Sequence, residues 1–368
     1  MRPPRSLLCA LAAVVLPACG SRTPIFLGLA AMDAGVEAAV PPKPDAARDA
    51  GIDVHTRPPT DAGPRPHDAG ADEVVLYIPA QGATWTWTGT TWAALGDGSE
   101  TEPPARDVSA MASDGREIVL FGGENDTNNT FLGDTWVFSR GAWAMASPTA
   151  SPSVRAGHSM AGQGSTVVLF GGRATSPSAN VQNDTWVWDG AAWTQAHPAV
   201  SPSPRSFASF VSLGNVAILY GGADPNSNLL GDTWSWDGTA WTELTPPTSP
   251  PLNGGSAATL GAYVYLFAPT LDATTSAYTT DTWAFDGSTW TNLPSMGLAP
   301  PGPTGFGAAA IGNLVLLYGG YFENSDSEEM NEDDTFTWNG TGWTDLGTFT
   351  GPDMFSGYPP CLMSTVSH

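Results

Sequence analysis

Three arginines stand at equivalent places in the chain and carry a group suited to binding carboxylates. Arg106, Arg155 and Arg205 are spaced 49 and 50 residues apart, and each follows a proline-rich turn. A planar guanidinium offers its donors in a fork that fits the two oxygens of a carboxylate. We predict that these arginines, with His158 three residues after Arg155, form a ligand-binding site. The alternative is that they tie neighbouring loops together.

The regular spacing of the arginines belongs to a longer repeat that comprises six copies of one unit. An aromatic strand recurs every 48 to 53 residues, and in each copy a tryptophan follows its first aromatic residue by seven positions. This period is that of one blade of a β-propeller. The aromatic strands are Thr84–Trp87, Asp134–Phe138, Asp184–Trp188, Asp232–Trp236, Asp281–Phe285 and Asp334–Trp338, and the tryptophans are Trp92, Trp143, Trp193, Trp241, Trp290 and Trp343.

Each unit contains the strands that a blade requires. A pair such as Asp-Gly or Asn-Gly separates most of the aromatic strands from the following tryptophan, which predicts a tight β-hairpin. Upstream lies an uninterrupted apolar run of the kind that is buried on both faces, and a small-residue strand precedes the later runs. The apolar runs are Val74–Ile78, Ile118–Phe121, Val167–Phe170, Val216–Tyr220, Tyr263–Phe267 and Leu314–Tyr318. The predicted fold class is therefore all-β, a β-propeller of six four-stranded blades.

This arrangement resembles the kelch repeat. The resemblance rests on Gly-Gly after an apolar strand, an aromatic strand after a variable loop and the tryptophan of the last strand, and it covers about residues 74–350. It implies a propeller of the kelch and galactose oxidase superfamily. Two copies have Ile78-Pro79 and Ala268-Pro269 in place of Gly-Gly, so we expect a different turn there. The first copy lacks its innermost strand, and we expect residues 354–368 to supply it and close one domain over residues 73–368.

The resemblance also implies where function could lie. In kelch domains that bind acidic peptides, arginines at the mouth of the central channel pair with carboxylates. Kelch-like copper oxidases use two His, two Tyr and a Tyr–Cys crosslink, a set that this chain does not match, and Ser235–Trp241 matches the sialidase Asp-box only superficially. We expect the repeated aromatic pairs, such as Trp186 and Trp188, to pack blade on blade, and the repeated Asp-Thr to bond turn amides.

The amino terminus has the features of an export signal. Arg2 and Arg5 precede an apolar run from Leu7 to Leu16 that is too short to span a bilayer comfortably. The run ends in Pro-Ala-Cys, which resembles a bacterial lipobox and implies a signal peptide over residues 1–18 and a lipid on Cys19. Residues 19–72, in which Asp-Ala-Gly recurs among prolines, are expected to form a disordered tether. The predicted location is the outer membrane, facing the periplasm or the cell surface, with a soluble secreted product as the alternative.

Charge and cysteine usage limit the classes of partner. The net charge is −23 and there is no basic run, which disfavours nucleic acid and anionic membrane surfaces. Cys361 is the only cysteine of the predicted propeller, so no internal disulfide framework is available. It could be buried or form an intermolecular bridge. The acidic loop from Glu323 to Asp334 lacks the ligand spacing of a calcium loop, and we predict no metal and no cofactor.

These observations favour a non-enzymatic binding module that presents its propeller face to a protein, peptide or glycan. We expect it to be monomeric and to touch the membrane through the lipid alone. One alternative is an enzyme acting on extracellular carbohydrate, which would need paired carboxylates at the channel mouth, where Asp107 and Asp353 are the only acids near the predicted inner strands. The other is a purely structural envelope protein.

Overall fold

The chain folds into antiparallel sheets arranged in a ring. The computed structural model describes residues 72–78, 82–95, 102–125, 130–174, 180–252, 255–271, 278–294, 306–319, 321–323, 329–331, 334–348 and 362–367. These residues form six four-stranded sheets, which confirms the predicted six-bladed propeller. Across these ranges, no helix has the length and apolar character that crossing a membrane requires.

Each four-stranded sheet is one blade, and its strands are given from the channel outward. Blade 1 consists of Leu362–Ser367, Asp72–Ile78, Ala83–Trp87 and Trp92–Leu95. Blade 2 consists of Ala110–Ser113, Ile118–Asn125, Thr130–Ser139 and Ala142–Ala146, and blade 3 of Ser159–Gln163, Thr166–Phe170, Thr185–Trp188 and Trp193–Ala196. Blade 4 consists of Ser209–Leu213, Val216–Tyr220, Thr233–Trp236 and Trp241–Leu244, and blade 5 of Ser256–Leu260, Tyr263–Leu271, Tyr278–Phe285 and Trp290–Leu293. Blade 6 consists of Gly307–Ile311, Leu314–Tyr318, Asp334–Trp338 and Trp343–Thr348, with an added hairpin of Tyr321–Glu323 and Glu329–Asn331.

The second strand of each blade contains an unbroken apolar run because this part of it lies between two neighbouring blades. In blade 2, Ile118, Val119, Leu120 and Phe121 are all 0% exposed. Ile118 and Leu120 pack against blade 1, whereas Val119 and Phe121 pack against blade 3. Alternate side chains of a strand point to opposite faces, so burial on both faces requires an unbroken apolar run.

The ring is closed by a strand from the carboxy-terminal end of the chain. Leu362–Ser367 pairs antiparallel with Asp72–Ile78 in blade 1 and contacts the inner strands of blades 6 and 2. The hydroxyl of Thr365 donates a hydrogen bond to the carbonyl of Ala310 in blade 6. This strand lies within the segment 354–368 that the sequence nominates for the role.

A ring of tryptophan–threonine hydrogen bonds links every blade to the one before it. The indole Nε1 that opens each outer strand donates to a threonine Oγ1 in the third strand of the preceding blade, at 2.8–3.3 Å. The pairs are Trp143–Thr84, Trp193–Thr135, Trp241–Thr185, Trp290–Thr233, Trp343–Thr282 and, across the closure, Trp92–Thr335. The tryptophan that follows the first aromatic residue of each copy by seven positions therefore forms an inter-blade contact.

The turn after the second strand differs between blades, as the missing Gly-Gly of the fifth copy predicts. Gly171 and Gly172 in blade 3 have φ values of 68° and 90°, which a residue with a Cβ rarely adopts. In blade 5, Tyr263–Leu271 instead stays paired with Tyr278–Phe285 through Ala268 and Pro269. These two strands are longer than the corresponding strands of blade 3. The corresponding Pro79 of blade 1 lies outside the described residues.

Candidate functional site

The three arginines predicted to bind a ligand are buried, and each forms a salt bridge with the aspartate of the Asp-Thr-Trp motif in its own blade. The pairs are Arg106–Asp134, Arg155–Asp184 and Arg205–Asp232. In each pair Nη1 and Nη2 donate to the two carboxylate oxygens at 2.7–2.8 Å. Nη1 also donates to the carbonyl of the first glycine of the Gly-Gly pair, at 2.8–3.0 Å. The arginine side chains are 0–1% exposed.

Two of these arginines also join one blade to the next through their backbone. The amide of Arg155 donates to the carbonyl of Leu132 at 3.0 Å, and its own carbonyl accepts from the amide of Gly123 at 2.9 Å. Both partners belong to blade 2, whereas the side chain of Arg155 is bound in blade 3. Arg205 repeats this pattern, with Gln182 and Gly172 of blade 3 as backbone partners. The residue therefore fixes a proline-rich turn between two blades.

These contacts match the alternative interpretation, in which the arginines tie loops together. All five guanidinium N–H donors of Arg155 are used, by Ser153, Gly171 and Asp184, and the donors of Arg205 are used in the same way. In this conformation neither side chain offers a donor to solvent. A direct binding role for Arg106, Arg155 or Arg205 stays a prediction that would require these ties to open.

We call the three buried salt bridges Arg106–Asp134, Arg155–Asp184 and Arg205–Asp232 the ties. Their electrostatics favour the charged state of the aspartates. Burial alone would raise the pKa of the Asp134, Asp184 and Asp232 carboxyls. The bidentate hydrogen bonds and the positive charge of the paired arginine outweigh burial, so each pKa lies below its ordinary value. These carboxylates stay ionised over the whole physiological range.

His158, the fourth predicted site residue, lies between blades 2 and 3 and is 5% exposed. Its ring packs edge-on against Phe121 at 5.5 Å, and its Cε1 would be 3.3 Å from a Cβ at Gly122. Within the part of the chain that the structure describes, neither ring nitrogen has a hydrogen-bond partner. Burial, together with the positive charge of Arg155, lowers the pKa of His158 to about 3. The imidazole is therefore neutral at ordinary pH.

The expectation that the repeated Asp-Thr bonds turn amides is wrong for blades 2 to 4. There the aspartate accepts from arginine and also from the indole of the tryptophan two residues later, as in Trp186 to Asp184 at 2.7 Å. The threonine accepts from the outer tryptophan of the next blade. Turn amides are instead bonded by the aspartate of the Asp-Gly hairpins, such as Asp189 with Ala191 and Ala192.

A second charged group lies at the end of the propeller where the inner strands begin, which we call the upper rim. Glu124 and Arg173 occupy the same place in blades 2 and 3, directly after Gly-Gly, and form a salt bridge of 3.1 Å across the blade interface. Their side chains are 10% and 12% exposed. We call Glu124 and Arg173 the rim pair. Sequence reasoning missed it because the position after Gly-Gly opens a loop of varying length.

The rim pair is flanked by two aromatic rings. The guanidinium carbon of Arg173 lies 5.8 Å from the ring centroid of Phe131 in blade 2 and 5.8 Å from that of Phe207 in blade 4. Phe207 has a φ of 60°, and its ring covers Gly157 of blade 3, where a Cβ would meet it at 3.0 Å. Arg173 thus contacts residues of all three blades. Such stacking holds a guanidinium in place without using its N–H donors.

Arg173 differs from Arg155 and Arg205, whose guanidinium donors are all used, in having donors that no described residue accepts. Its Nε is buried without a hydrogen-bond partner in the described ranges. Its Nη2 bond to Glu124 is the one hydrogen bond that its guanidinium makes to described residues. Two further buried polar groups without a described partner, Ser109 Oγ and the ring nitrogens of His158, flank the Gly-Gly turn of blade 2. Buried polar groups that lack a partner among the described residues therefore lie close together at the upper rim of blades 2 and 3.

The central channel is a cavity of about 580 Å³ lined by the inner strands of all six blades. Its wall is made mainly of alanine, serine, glycine and threonine, with Phe210 and Phe306 as the aromatic residues and Asp114 as the charged one. Asp114 accepts from the amides of Arg116 and Glu117. The channel therefore has a polar but almost uncharged wall.

The carboxylates that a carbohydrate-active enzyme would need do not form a pair in the described structure. Asp107 is 6% exposed and its backbone pairs with that of Glu124, while Asp353 lies outside the described residues. Among the described residues, no group of three His, Cys, Asp or Glu side chains is placed to hold a metal ion. Cys19, Cys361 and most of the acidic loop also lie outside the described ranges.

Comparison with known proteins agrees with this architecture. The family model described as the KLHDC2/KLHL20/DRC7 Kelch-repeats domain matches residues 81–267 and, in a second overlapping match, residues 141–320. No curated protein matches the chain. The two family matches together span well over half of the 368 residues and the blades that carry the ties and the rim pair. The chain therefore belongs to this family of kelch-repeat propellers.

Proposed function

We propose that this protein is a non-enzymatic binding module, displayed from the bacterial envelope, whose upper rim contacts a protein, peptide or glycan partner. Kelch propellers are in general protein-interaction modules. The observation that carries the proposal is the rim pair: a guanidinium with donors that no described residue accepts, held between two aromatic rings on a closed ring of blades. Charged groups on rigid elements bind with little ordering cost.

The ties of blades 2 to 4 support the proposal because they make the upper rim rigid where the rim pair lies. Arg155 fixes its turn to the Gly-Gly of blade 2, immediately before Glu124. Arg205 fixes the next turn to the Gly-Gly of blade 3, immediately before Arg173. The predicted site residues would then serve binding indirectly, by positioning the two members of the rim pair.

The proposed anchor is a lipid on Cys19, in the outer membrane. It is supported by the basic residues, the short apolar run and the Pro-Ala-Cys sequence at the amino terminus. A flexible segment of the length of residues 19–72 has a typical span of roughly 40 Å, enough to hold the propeller clear of the headgroups. Labelling cells with an alkyne fatty acid tests the anchor: the chain should be labelled, and a Cys19→Ala variant should not. Equal labelling of both, or of neither, would remove the anchor from the proposal.

Binding itself is tested by affinity capture with the full chain, tagged at its carboxy terminus, from envelope extracts. Parent protein and an Arg173→Ala variant are compared, with Arg116→Ala as the matched control because Arg116 is 71% exposed in a turn at the opposite end of blade 2. We expect a partner that parent and control retain and the Arg173→Ala variant loses. A partner retained equally by all three would place binding away from the rim pair, and no partner at all would favour a purely structural role.

A further inference from the structure

The rim pair presents a donor and an acceptor side by side. Nη2 of Arg173 and Oε2 of Glu124 are 3.1 Å apart, which is close to the spacing of two neighbouring hydroxyl oxygens on a sugar ring. Each hydroxyl can donate one hydrogen bond and accept others. A vicinal diol laid over the pair could accept from the guanidinium with one hydroxyl and donate to the carboxylate with the other.

The charge balance of the site favours a neutral ligand. The guanidinium and the carboxylate cancel, so an added carboxylate or phosphate would meet no net positive charge. The rest of the chain is strongly acidic, with a net charge of −23, and would repel an anion at long range. A neutral ligand meets neither obstacle.

The surroundings of the pair add an apolar component. Phe131 and Phe207 lie on two sides of Arg173 and are partly exposed, so a ligand over the pair would touch their edges. His158 and Ser109 lie beneath the adjoining Gly-Gly turn and are more than nine-tenths buried, so they support the rim from below. Hydroxyl groups on a partly apolar ring match this combination. In a trans peptide group the N–H and the C=O point in opposite directions, so one group cannot bond both members of the pair.

We propose that the rim pair, with Phe131 and Phe207, binds a neutral saccharide through two vicinal hydroxyls. Arg173 donates to one hydroxyl, Glu124 accepts from the next, and the phenylalanine edges contact the ring carbons. This inference rests on the proposed function in that the upper rim must be the ligand-contacting surface, and it names the ligand class of that surface.

The test is saturation-transfer NMR with the full chain in detergent and four neutral trisaccharides as probes: maltotriose, mannotriose, xylotriose and chitotriose. At least one should receive saturation from the protein. Permethylated maltotriose keeps the ring carbons but has no hydroxyl donors, and trigalacturonate adds carboxylates, so both should bind more weakly than neutral sugars. Arg173→Ala should weaken the best probe about tenfold or more, as expected for loss of a charged hydrogen-bond donor.

Two further variants keep the result interpretable. Arg173→Lys keeps the charge opposite Glu124 but removes the planar donors, and should also lose binding, which separates recognition from loss of the fold. Arg116→Ala should bind like the parent, and thermal melting should show that all variants are folded.

The outcomes separate the saccharide proposal from the proposed function. Binding lost in both Arg173 variants and kept in the control supports the saccharide site. Binding unchanged in the Arg173 variants, or no binding of any probe, overturns it. If an immobilised peptide library, run in parallel, yields peptides captured in an Arg173-dependent manner while the sugars fail, the ligand class is wrong but the upper rim remains the binding surface.

Discussion

Blades 2, 3 and 4 follow the same four-stranded plan as blades 5, 6 and 1, but the two halves of the ring are held differently. The first three each contain a buried arginine that binds their own aspartate. Residues 206–368 contain sixteen acidic residues and no arginine or lysine, so blades 5 and 6 cannot form such a tie. Blade 1 has Ala83 where the aspartate would stand. All six blades nevertheless share the tryptophan–threonine ring.

Blades 5 and 6 show that a blade of this propeller can form without such a salt bridge. Apolar second strands and indole–hydroxyl bonds occur in both halves, and they suffice in blades 5 and 6. The ties are confined to the half that carries the rim pair. We therefore assign them to local rigidity of the upper rim.

The largest effect should come from removing one partner of a tie. Asp184→Asn leaves Arg155 charged and buried, and breaking a buried pair in this way costs roughly 3–5 kcal/mol. The side chain of Asp184 is 19% exposed, so we expect the lower end, about 3 kcal/mol. The measurement is the free energy of unfolding from guanidinium chloride titration, with the slope checked for two-state behaviour.

The matched control is Asp281→Asn in blade 5, at the same motif position without an arginine. Asp281 accepts from the hydroxyl of Thr270 at 3.0 Å, and this single bond should be worth less than about 1.5 kcal/mol. Equal losses in the two variants would show that the guanidinium adds nothing, and the division of the ring into two halves would then be wrong.

The second effect is a pH dependence that belongs to the tied half alone. The pKa of His158 is about 3 in the folded chain and about 6.5 when unfolded, so the unfolded state binds the proton first as the pH falls. The contribution of neutral His158 to the free energy of unfolding should therefore be complete above about pH 6.5. It should decline below that pH, by about 2 kcal/mol at pH 5. His158→Ala, which copies Ala208 of blade 4, should remove this slope whatever it does to stability at pH 7.

The aspartates of the three salt bridges titrate at lower pH than His158 and so do not interfere with this measurement. Their folded pKa values are depressed, so their contribution is present above about pH 4 and is lost only as the pH falls further. If His158→Ala keeps the full slope of unfolding free energy between pH 7 and pH 5, His158 is protonated in the folded chain without penalty.

The repeat made the ring predictable, because strands, hairpins and the period all leave local signals. The pairing of each arginine with its aspartate leaves a weaker signal in the sequence. Each arginine precedes its aspartate by 27 to 29 residues in three consecutive units. That co-occurrence within one chain could have suggested a pair. The spacing does not by itself place the pair, because surface arginines and buried arginines look alike in a sequence.

The rim pair was harder to foresee, and the reason is geometric. Glu124 and Arg173 are 49 residues apart and occupy equivalent positions after Gly-Gly in adjacent units. Opposite charges at equivalent positions of neighbouring blades are a usable signal, but the bridge depends on the angle between blades, which no local pattern encodes. The contribution of Phe207 depends further on its positive φ, an unusual conformation for a phenylalanine.

The smallest effect tests what the two halves share. Thr135→Val and Thr282→Val each remove the acceptor of a buried indole, that of Trp193 in the tied half and that of Trp343 in the other. An indole N–H left unpaired in the interior costs about 1–2 kcal/mol, and valine keeps the shape of threonine. Both bonds join the same two groups at buried positions, at 3.0 and 3.3 Å, so we expect similar losses of unfolding free energy. A markedly larger loss in Thr282→Val would mean that the blades without an arginine depend more strongly on the tryptophan–threonine hydrogen bonds. The salt bridges and these hydrogen bonds would then substitute for each other in stabilising the propeller.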